Sequence, residues 1–286
     1  MLFAVSGVEC SPFLLFFAAM AISFFTSMGG ISGAFLLLPF QIGVLGYTTP
    51  SVSATNQLYN VLACPAGVWR YWREGRLLMP LVFYMAAGTL PGVFLGAWLR
   101  AGWLADLRRF MLFAAIVLGY IGIRLFFSKG KKGKADNGSC QILFFSWKSF
   151  AFSWAGNEYK VKFASIFALS LAVGLVGGIY GVGGGAIMSP FLISFFNLPV
   201  YVIAGATLLA TFLTSVLGVI FFSLLGMFSQ NLSPDWMLGA VLGLGGMTGM
   251  YLGAASQRFM PARFIRYLLV VLVLFLAIRF FVKAVF

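Results

Sequence analysis

The groups in this chain best placed to do chemistry are backbone amides rather than side chains. The stretch Gly177-Gly178-Ile179-Tyr180-Gly181-Val182-Gly183-Gly184-Gly185-Ala186-Ile187-Met188-Ser189-Pro190 has a fainter copy, Met28-Gly29-Gly30-Ile31-Ser32-Gly33-Ala34-Phe35-Leu36-Leu37-Leu38-Pro39. Each joins two apolar runs, although every Gly inside a helix costs about 1 kcal/mol relative to Ala. Broken backbone is tolerated inside a membrane only where protein buries it or where it lines a watery cavity. A short helix starting at such a break would turn its free N–H groups and positive dipole end inward, which suits an anion. Glycine also lets backbone approach a ligand closely. On this reading Gly30, Ser32 and Gly33 in the first copy, and Gly183, Gly184 and Gly185 in the second, are the candidate anion contacts. The competing reading is tight helix packing by small residues. That reading is adopted for the scattered Gly88, Gly92, Gly96, Gly243 and Gly245.

A second duplicated feature follows each break. Asn56, Asn60 and Cys64 recur at i, i+4 and i+8 as one polar stripe on an apolar helix, and Thr207, Thr211 and Ser215 repeat it. Polar side chains facing lipid would lose their hydrogen bonds, so both stripes should face inward. There they either bond a neighbouring helix or line a pathway. Gln57 and Tyr59 are weaker candidates beside them. A thiol at membrane depth is ordinarily a small hydrophobe, and the sharper reading of Cys64 is a soft contact for a sulfur-bearing substrate.

Other chemistries are excluded by what the chain lacks. It has no histidine, and its six acidic residues, Glu9, Glu74, Asp106, Asp136, Glu158 and Asp235, fall in loops or at segment ends. A proton relay through a buried carboxylate or histidine is therefore not expected. The glycine cluster is not followed by the Lys-Ser/Thr of a nucleotide-binding P-loop. No catalytic residues, metal ligands or cofactor follow from these residue types. Cys10, Cys64 and Cys140 are too few and scattered for a disulfide framework.

The elements that must position the breaks are membrane helices. Hydrophobic residues make up 62% and charged residues 9% of the 286, and mean hydropathy is +1.01. A soluble domain carries roughly 25% charge, and the runs of about 20 apolar residues match a bilayer-crossing helix. The expected fold class is an all-α polytopic membrane protein of two inverted repeats, with glycine-broken helices near the midplane. Five apolar segments are predicted in residues 1–127, over 12–28, 31–46, 51–72, 77–100 and 107–127. Five more are predicted in residues 160–286, over 160–178, 182–197, 200–226, 236–256 and 263–285. The first two segments of each repeat either both cross or form a re-entrant hairpin; both options return the chain to its starting side. Between the repeats, residues 128–159 comprise a basic loop and an aromatic stretch, Leu143 to Trp154, too short to span and suited to the headgroup interface. No positively charged leader precedes the first apolar run, so a cleaved signal peptide is not expected.

The repeat is visible as a constant offset. Gly30, Gly33 and Pro39 lie 151 residues before Gly181, Gly184 and Pro190, and Asn60, Gly67 and Gly75 stand in the same relation to Thr211, Gly218 and Gly226. Gly92 and Gly96 match Gly249 and Gly253 at an offset of 157. Charge then separates the copies. Arg70, Arg73 and Arg76 end the third segment of the first half, whereas its counterpart ends without a positive residue. Arg258, Arg263 and Arg266, and the Lys129 to Lys134 run, mark further cytoplasmic loops by the positive-inside rule. The copies are thus expected to run in opposite directions with both termini outside. Arg100, Arg108 and Arg109 conflict with this scheme, because they flank a loop it places outside. The net charge of +13 reflects these loop clusters, not a nucleic-acid surface.

These motifs resemble the sulfite exporter TauE/SafE family of membrane transporters. The resemblance lies in Gly30-Ile31-Ser32-Gly33-Ala34-Phe35-Leu36-Leu37-Leu38-Pro39, Ala54-Thr55-Asn56, Gly67-Val68-Trp69-Arg70-Tyr71 and Glu74-Gly75-Arg76. It continues in Gly181-Val182-Gly183-Gly184-Gly185 with Pro190, in Ala206-Thr207 and in Gly249-Met250-Tyr251-Leu252-Gly253. Ser32 stands where a glycine is usual in that family. The resemblance implies a transporter of sulfite, sulfonates or related sulfur anions in the cytoplasmic membrane. The expected partners are a small anionic substrate and the lipid bilayer, with a coupling ion as one energy source and no specified oligomer. A passive anion channel and a non-transporting subunit of a membrane complex are the competing classes.

Overall fold

The computed structural model describes residues 1–3, 5–127, 140–227 and 232–285. The Lys129 to Lys134 run lies outside them, as do the side chains of Arg263 and Arg266. Ten α-helices among the described residues fall on the ten expected segments. In the first half they are α1 (Pro12–Met28), α2 (Ala34–Gly43), α3 (Ser51–Arg73), α4 (Met79–Ala101) and α5 (Leu107–Phe127). In the second they are α6 (Phe163–Tyr180), α7 (Gly184–Phe196), α8 (Val200–Gly226), α9 (Trp236–Ser256) and α10 (Ala262–Val285). Helices α4, α6, α8 and α9 are long and apolar enough to cross a membrane. At about 1.5 Å per residue, the ten-residue α2 covers only half of a hydrocarbon layer roughly 30 Å thick.

Packing exchanges between the halves. Helix α1 packs chiefly on α9 and α6 on α4, while α3 packs on α9 and α8 on α4. Helices α3 and α8 meet each other, as do α5 and α10. Glycine ridges make the tightest of these contacts. A methyl at Gly88 or Gly92 of α4 would fall 2.5 Å from the carbonyl of Phe167 or Leu171 on α6. Gly245, Gly249 and Gly253 of α9 meet the α1 carbonyls of Phe16, Met20 and Phe24 in the same way. These glycines let backbones touch, as small residues do in lipid, where no hydrophobic force draws helices together.

The all-α expectation fails in the connector. Residues 141–162 form an antiparallel meander of β1 (Gln141–Phe145), β2 (Ser149–Trp154) and β3 (Asn157–Lys162), in the order β1-β2-β3. The cause is a period of two: Phe150, Phe152 and Trp154 are buried, with Ser149, Ala151 and Ser153 between them. Phe152 pairs with Tyr159 across the strands, and their rings stack 5.1 Å apart. Positive φ at Ala155 (49°) and Gly156 (73°) gives the tight turn that matches strand twist. The meander sits on α4, where Tyr84 donates to the Ser146 carbonyl and its ring meets Phe150 at 5.3 Å.

Candidate functional site

Both glycine stretches interrupt helices. Residues 29–33 separate α1 from α2, and residues 181–183 separate α6 from α7. Gly30 (φ 68°) and Gly183 (φ 76°) lie in the left-handed region, where a side chain would be strained. Proline sharpens the local design. Pro39 has no N–H to give the carbonyl four residues back, that of Phe35, and the Tyr180 hydroxyl donates to it at 3.4 Å instead.

Each break is held by a side chain from the other half. Asn60, on α3, donates its Nδ2 to the Val182 carbonyl at 3.0 Å, while its Oδ1 accepts from the Ser32 hydroxyl of its own break. Thr207, on α8, donates to the Gly30 carbonyl at 2.7 Å, and Ser189 of α7 donates to the same oxygen at 3.2 Å. Ser32, Asn60, Ser189 and Thr207 are fully buried. The bonds to Val182 and Gly30 satisfy carbonyls within the breaks, in surroundings where an unmet polar group costs several kcal/mol. Ser189 gave no signal in the sequence, because one serine in an apolar run has no period.

The remaining expected residues are distributed around this girdle. Cys64 is buried, with its Sγ 3.9 Å from Asn60 Oδ1. Asn56 faces elsewhere: it accepts from Gln41 Nε2 at 3.1 Å and donates to the Ala34 carbonyl at 3.3 Å, joining α2 to α3. The Thr211 hydroxyl bonds back to the Thr207 carbonyl at 2.8 Å within its own helix. Gly33 lies against Tyr59 and Ser23, Gly184 against Thr89, and Gly185 against the α8 backbone at Thr207 and Thr211. A bulky residue at Gly33 or Gly184 would therefore displace packed neighbours as well as any ligand.

Many break amides are already used. The N–H groups of Gly181 and Val182 donate to the Gly177 carbonyl, and that of Gly184 to Thr214 Oγ1 at 3.2 Å. Those of Gly29, Gly30 and Ile31 donate to carbonyls of the last turn of α1, and that of Ala34 to Ser32 Oγ. The breaks are consequently organised more by internal bonds than the glycine pattern implied.

Arg100 is a correction to the sequence reading. The charge pattern groups it with residues flanking a loop on the outer side, yet it is fully buried at the end of α4. Its Nε donates to Ser53 Oγ at 3.2 Å, Nη1 donates to the Leu104 carbonyl, and the guanidinium lies 4.1 Å over the Phe110 ring. An arginine held in this way does not count as a loop charge. The available signal was its position directly after the apolar run Val93 to Leu99.

Comparison with known proteins identifies a family for the chain. The family model described as Sulfite exporter TauE/SafE matches residues 15–280. The chain is 27% identical to the "Probable membrane transporter protein YjnA" of Bacillus subtilis (strain 168), over 81% of this chain and 85% of that one. It is 25% identical to the "Probable membrane transporter protein ORF9" of Sinorhizobium sp, over 93% and 90% of the two chains. A stretch of 85 residues is 32% identical to "Sulfite exporter TauE/SafE family protein 5" of Arabidopsis thaliana, covering 30% of this chain and 18% of that one. No solved structure matches it significantly.

Proposed function

Because the chain belongs to the sulfite exporter TauE/SafE family, we propose that it is a secondary transporter of a small, sulfur-containing anion of the sulfite, sulfonate or thiosulfate type. In this reading it acts in the cytoplasmic membrane as a transporter and not an enzyme, by rocking residues 1–127 against residues 160–286. The observation that carries it is the reciprocal bracing of the breaks, in which Asn60 holds Val182 and Thr207 holds Gly30. Two broken helices tied across a pseudo-symmetric interface are the arrangement in which transporters of this kind build a central site.

The inversion of the halves is supported by where the loops meet. Arg76, between α3 and α4, donates to Gln257 at the end of α9 at 2.7 Å, and the connector meander packs near the start of α4. These contacts gather the end of α3, the start of α6 and the end of α9. Ser6 donates to Asp235, just before α9, at 2.8 Å, which gathers the segment before α1 with the start of α9. On this arrangement α1 and α6 start at opposite ends of the bundle, as do α4 and α9.

The test is a flux panel in proteoliposomes with sulfite, thiosulfate, sulfate, a sulfonate and a carboxylate. Saturable uptake of sulfur anions with counterflow is expected. Preference for the carboxylate would sink the substrate assignment, non-saturating flux would favour a channel, and no flux of any anion would end the transport reading.

A further inference from the structure

Among the described residues, four of the ten buried polar atoms left without partners belong to residues on the helices packed about the second break. Arg100 Nη2, both carboxamide atoms of Gln57 and Ser215 Oγ are buried with no hydrogen-bond partner. Arg100 reaches the break through Ser53: its Nε bonds Ser53 Oγ, and a methyl at Gly181 would fall 2.5 Å from Ser53 Cα. Gln57 stands one turn further along the same face of α3. Its carboxamide lies against Gly218 of α8, where a methyl would be 2.8 Å from Cδ. Ser215 is three residues before Gly218 on α8, and a methyl at Gly183 would lie 2.9 Å from its Oγ. Ser215 thus meets the second break directly, Arg100 reaches it through Ser53, and Gln57 lies between them along α3 and against α8.

The charge of this corner is as unusual as its hydrogen bonding. Ion pairs among the described residues join Glu74 to Arg70 and Arg76, and Arg100 has no carboxylate. A buried guanidinium with no counter-charge is costly in any fold, and more so at membrane depth. The other half offers an instructive contrast. At the offset of 157 that matches α4 to α9, the place of Arg100 is taken by Gln257. Gln257 is neutral and satisfied on both sides, by Arg76 Nη1 and by the Met28 carbonyl at 2.6 Å. Protein groups therefore close the corner at Gln257, whereas the corner at Arg100 is left one anion short.

We propose that Arg100, Gln57 and Ser215 coordinate a small oxyanion beside the second glycine break, in a site built from both halves whose arginine is replaced by Gln257 at the matching position. The guanidinium supplies the charge and directional N–H groups for anion oxygens. The Gln57 carboxamide and the Ser215 hydroxyl complete the shell. Ser53 is a positioning residue that holds the guanidinium by its Nε. The proposal rests on the anion-transporter reading for its role, and on the unmet groups themselves for its place.

Two variants test it on purified full-length protein. Gln57→Leu removes an amide that the fold leaves unpartnered, so it should not lower thermal stability. Ser53→Asp places a carboxylate against Arg100 and supplies the missing charge internally. Wild-type protein in detergent is expected to melt higher in sodium sulfite or sodium sulfate than in sodium gluconate of equal ionic strength. Gln57→Leu should weaken that response and raise the KM for sulfite uptake at least tenfold. Ser53→Asp should melt as high as wild type without anion and gain nothing when anion is added. Unchanged anion response and KM in both variants would overturn the site while leaving transport standing. A wild-type protein stabilised by anion through these residues but carrying no flux would leave the site and overturn the transport reading. No anion response in the wild type would overturn the site directly.

Discussion

Asn60 and Thr207 do equivalent work with unequal backup. Replacing Asn60 by Leu strands the Val182 carbonyl and deprives the Ser32 hydroxyl of its acceptor. A buried group left unmet costs about 1–3 kcal/mol. Replacing Thr207 by Val leaves the Gly30 carbonyl with Ser189 as donor. Thermal unfolding in detergent should therefore rank Asn60→Leu as clearly more damaging than Thr207→Val, and the reverse order would argue against the bracing. Most of the network was visible as polar residues at helical spacing. Which side chain crosses to which half was not, because a stripe defines a face and leaves its partner open. Asn56 illustrates the limit: it shares the stripe with Asn60 yet turns to Gln41 and the start of α2.

Among the elements, the glycine ridges and the meander show two kinds of legibility. Glycines every four residues on α4 and α9 read as packing surfaces in the sequence and pack as such in the fold. Their sensitivity depends on what faces them. A methyl at Gly92 meets immovable backbone, the Leu171 carbonyl at 2.5 Å and the Leu175 nitrogen at 2.8 Å. A methyl at Gly239 meets only the Leu58 side chain, with its terminal Cδ2 nearest at 2.6 Å, which can turn away. Gly92→Ala should lower the melting temperature of the solubilised protein by several degrees, and Gly239→Ala should change it less; equal effects would remove the ridge argument. The meander escaped the sequence reading because a short aromatic run next to membrane helices has two solutions of similar hydrophobicity. The alternation from Ser149 to Trp154 selects the strand, but only pairing with Asn157–Lys162 satisfies its backbone. Tyr84→Phe removes the hydroxyl that holds Ser146, at a cost of about 1 kcal/mol. It should speed chymotryptic cleavage in the connector, and unchanged cleavage would mean that the ring contacts alone hold the meander.

For the whole molecule, the reading of two opposed halves makes a claim about sides. Val5 and Trp147 are exposed, at 44% and 72%, and the inverted arrangement puts them on opposite faces of the membrane. In a background carrying Cys10→Ser, Cys64→Ala and Cys140→Ser, a membrane-impermeant maleimide added to intact cells should label Val5→Cys. Trp147→Cys should be labelled only after the membrane is opened. Labelling of both from one side would defeat the inversion. The buried Arg100 matters at this scale too, since removing it from the loop charges leaves Arg108 and Arg109 as the conflict with the charge rule. Arg108 is itself engaged, its Nε donating to the Ala284 carbonyl at 2.9 Å, where the start of α5 meets the end of α10.

By itself the sequence determined the membrane class and the ten helical segments, and it singled out the two glycine stretches between them. These follow from composition and local period, because hydrophobic length, glycine clusters and helical spacing act over a few turns of chain. Only the tertiary structure decided that Asn60 and Thr207 brace opposite breaks, that many break amides are bonded internally, and that residues 141–162 are a sheet. It also decided that Arg100 turns inward onto Ser53 and Phe110 without a carboxylate. Satisfaction of a polar group is a property of the atoms around it. For the two braces those atoms come from segments more than a hundred residues apart, so no local pattern carries the information.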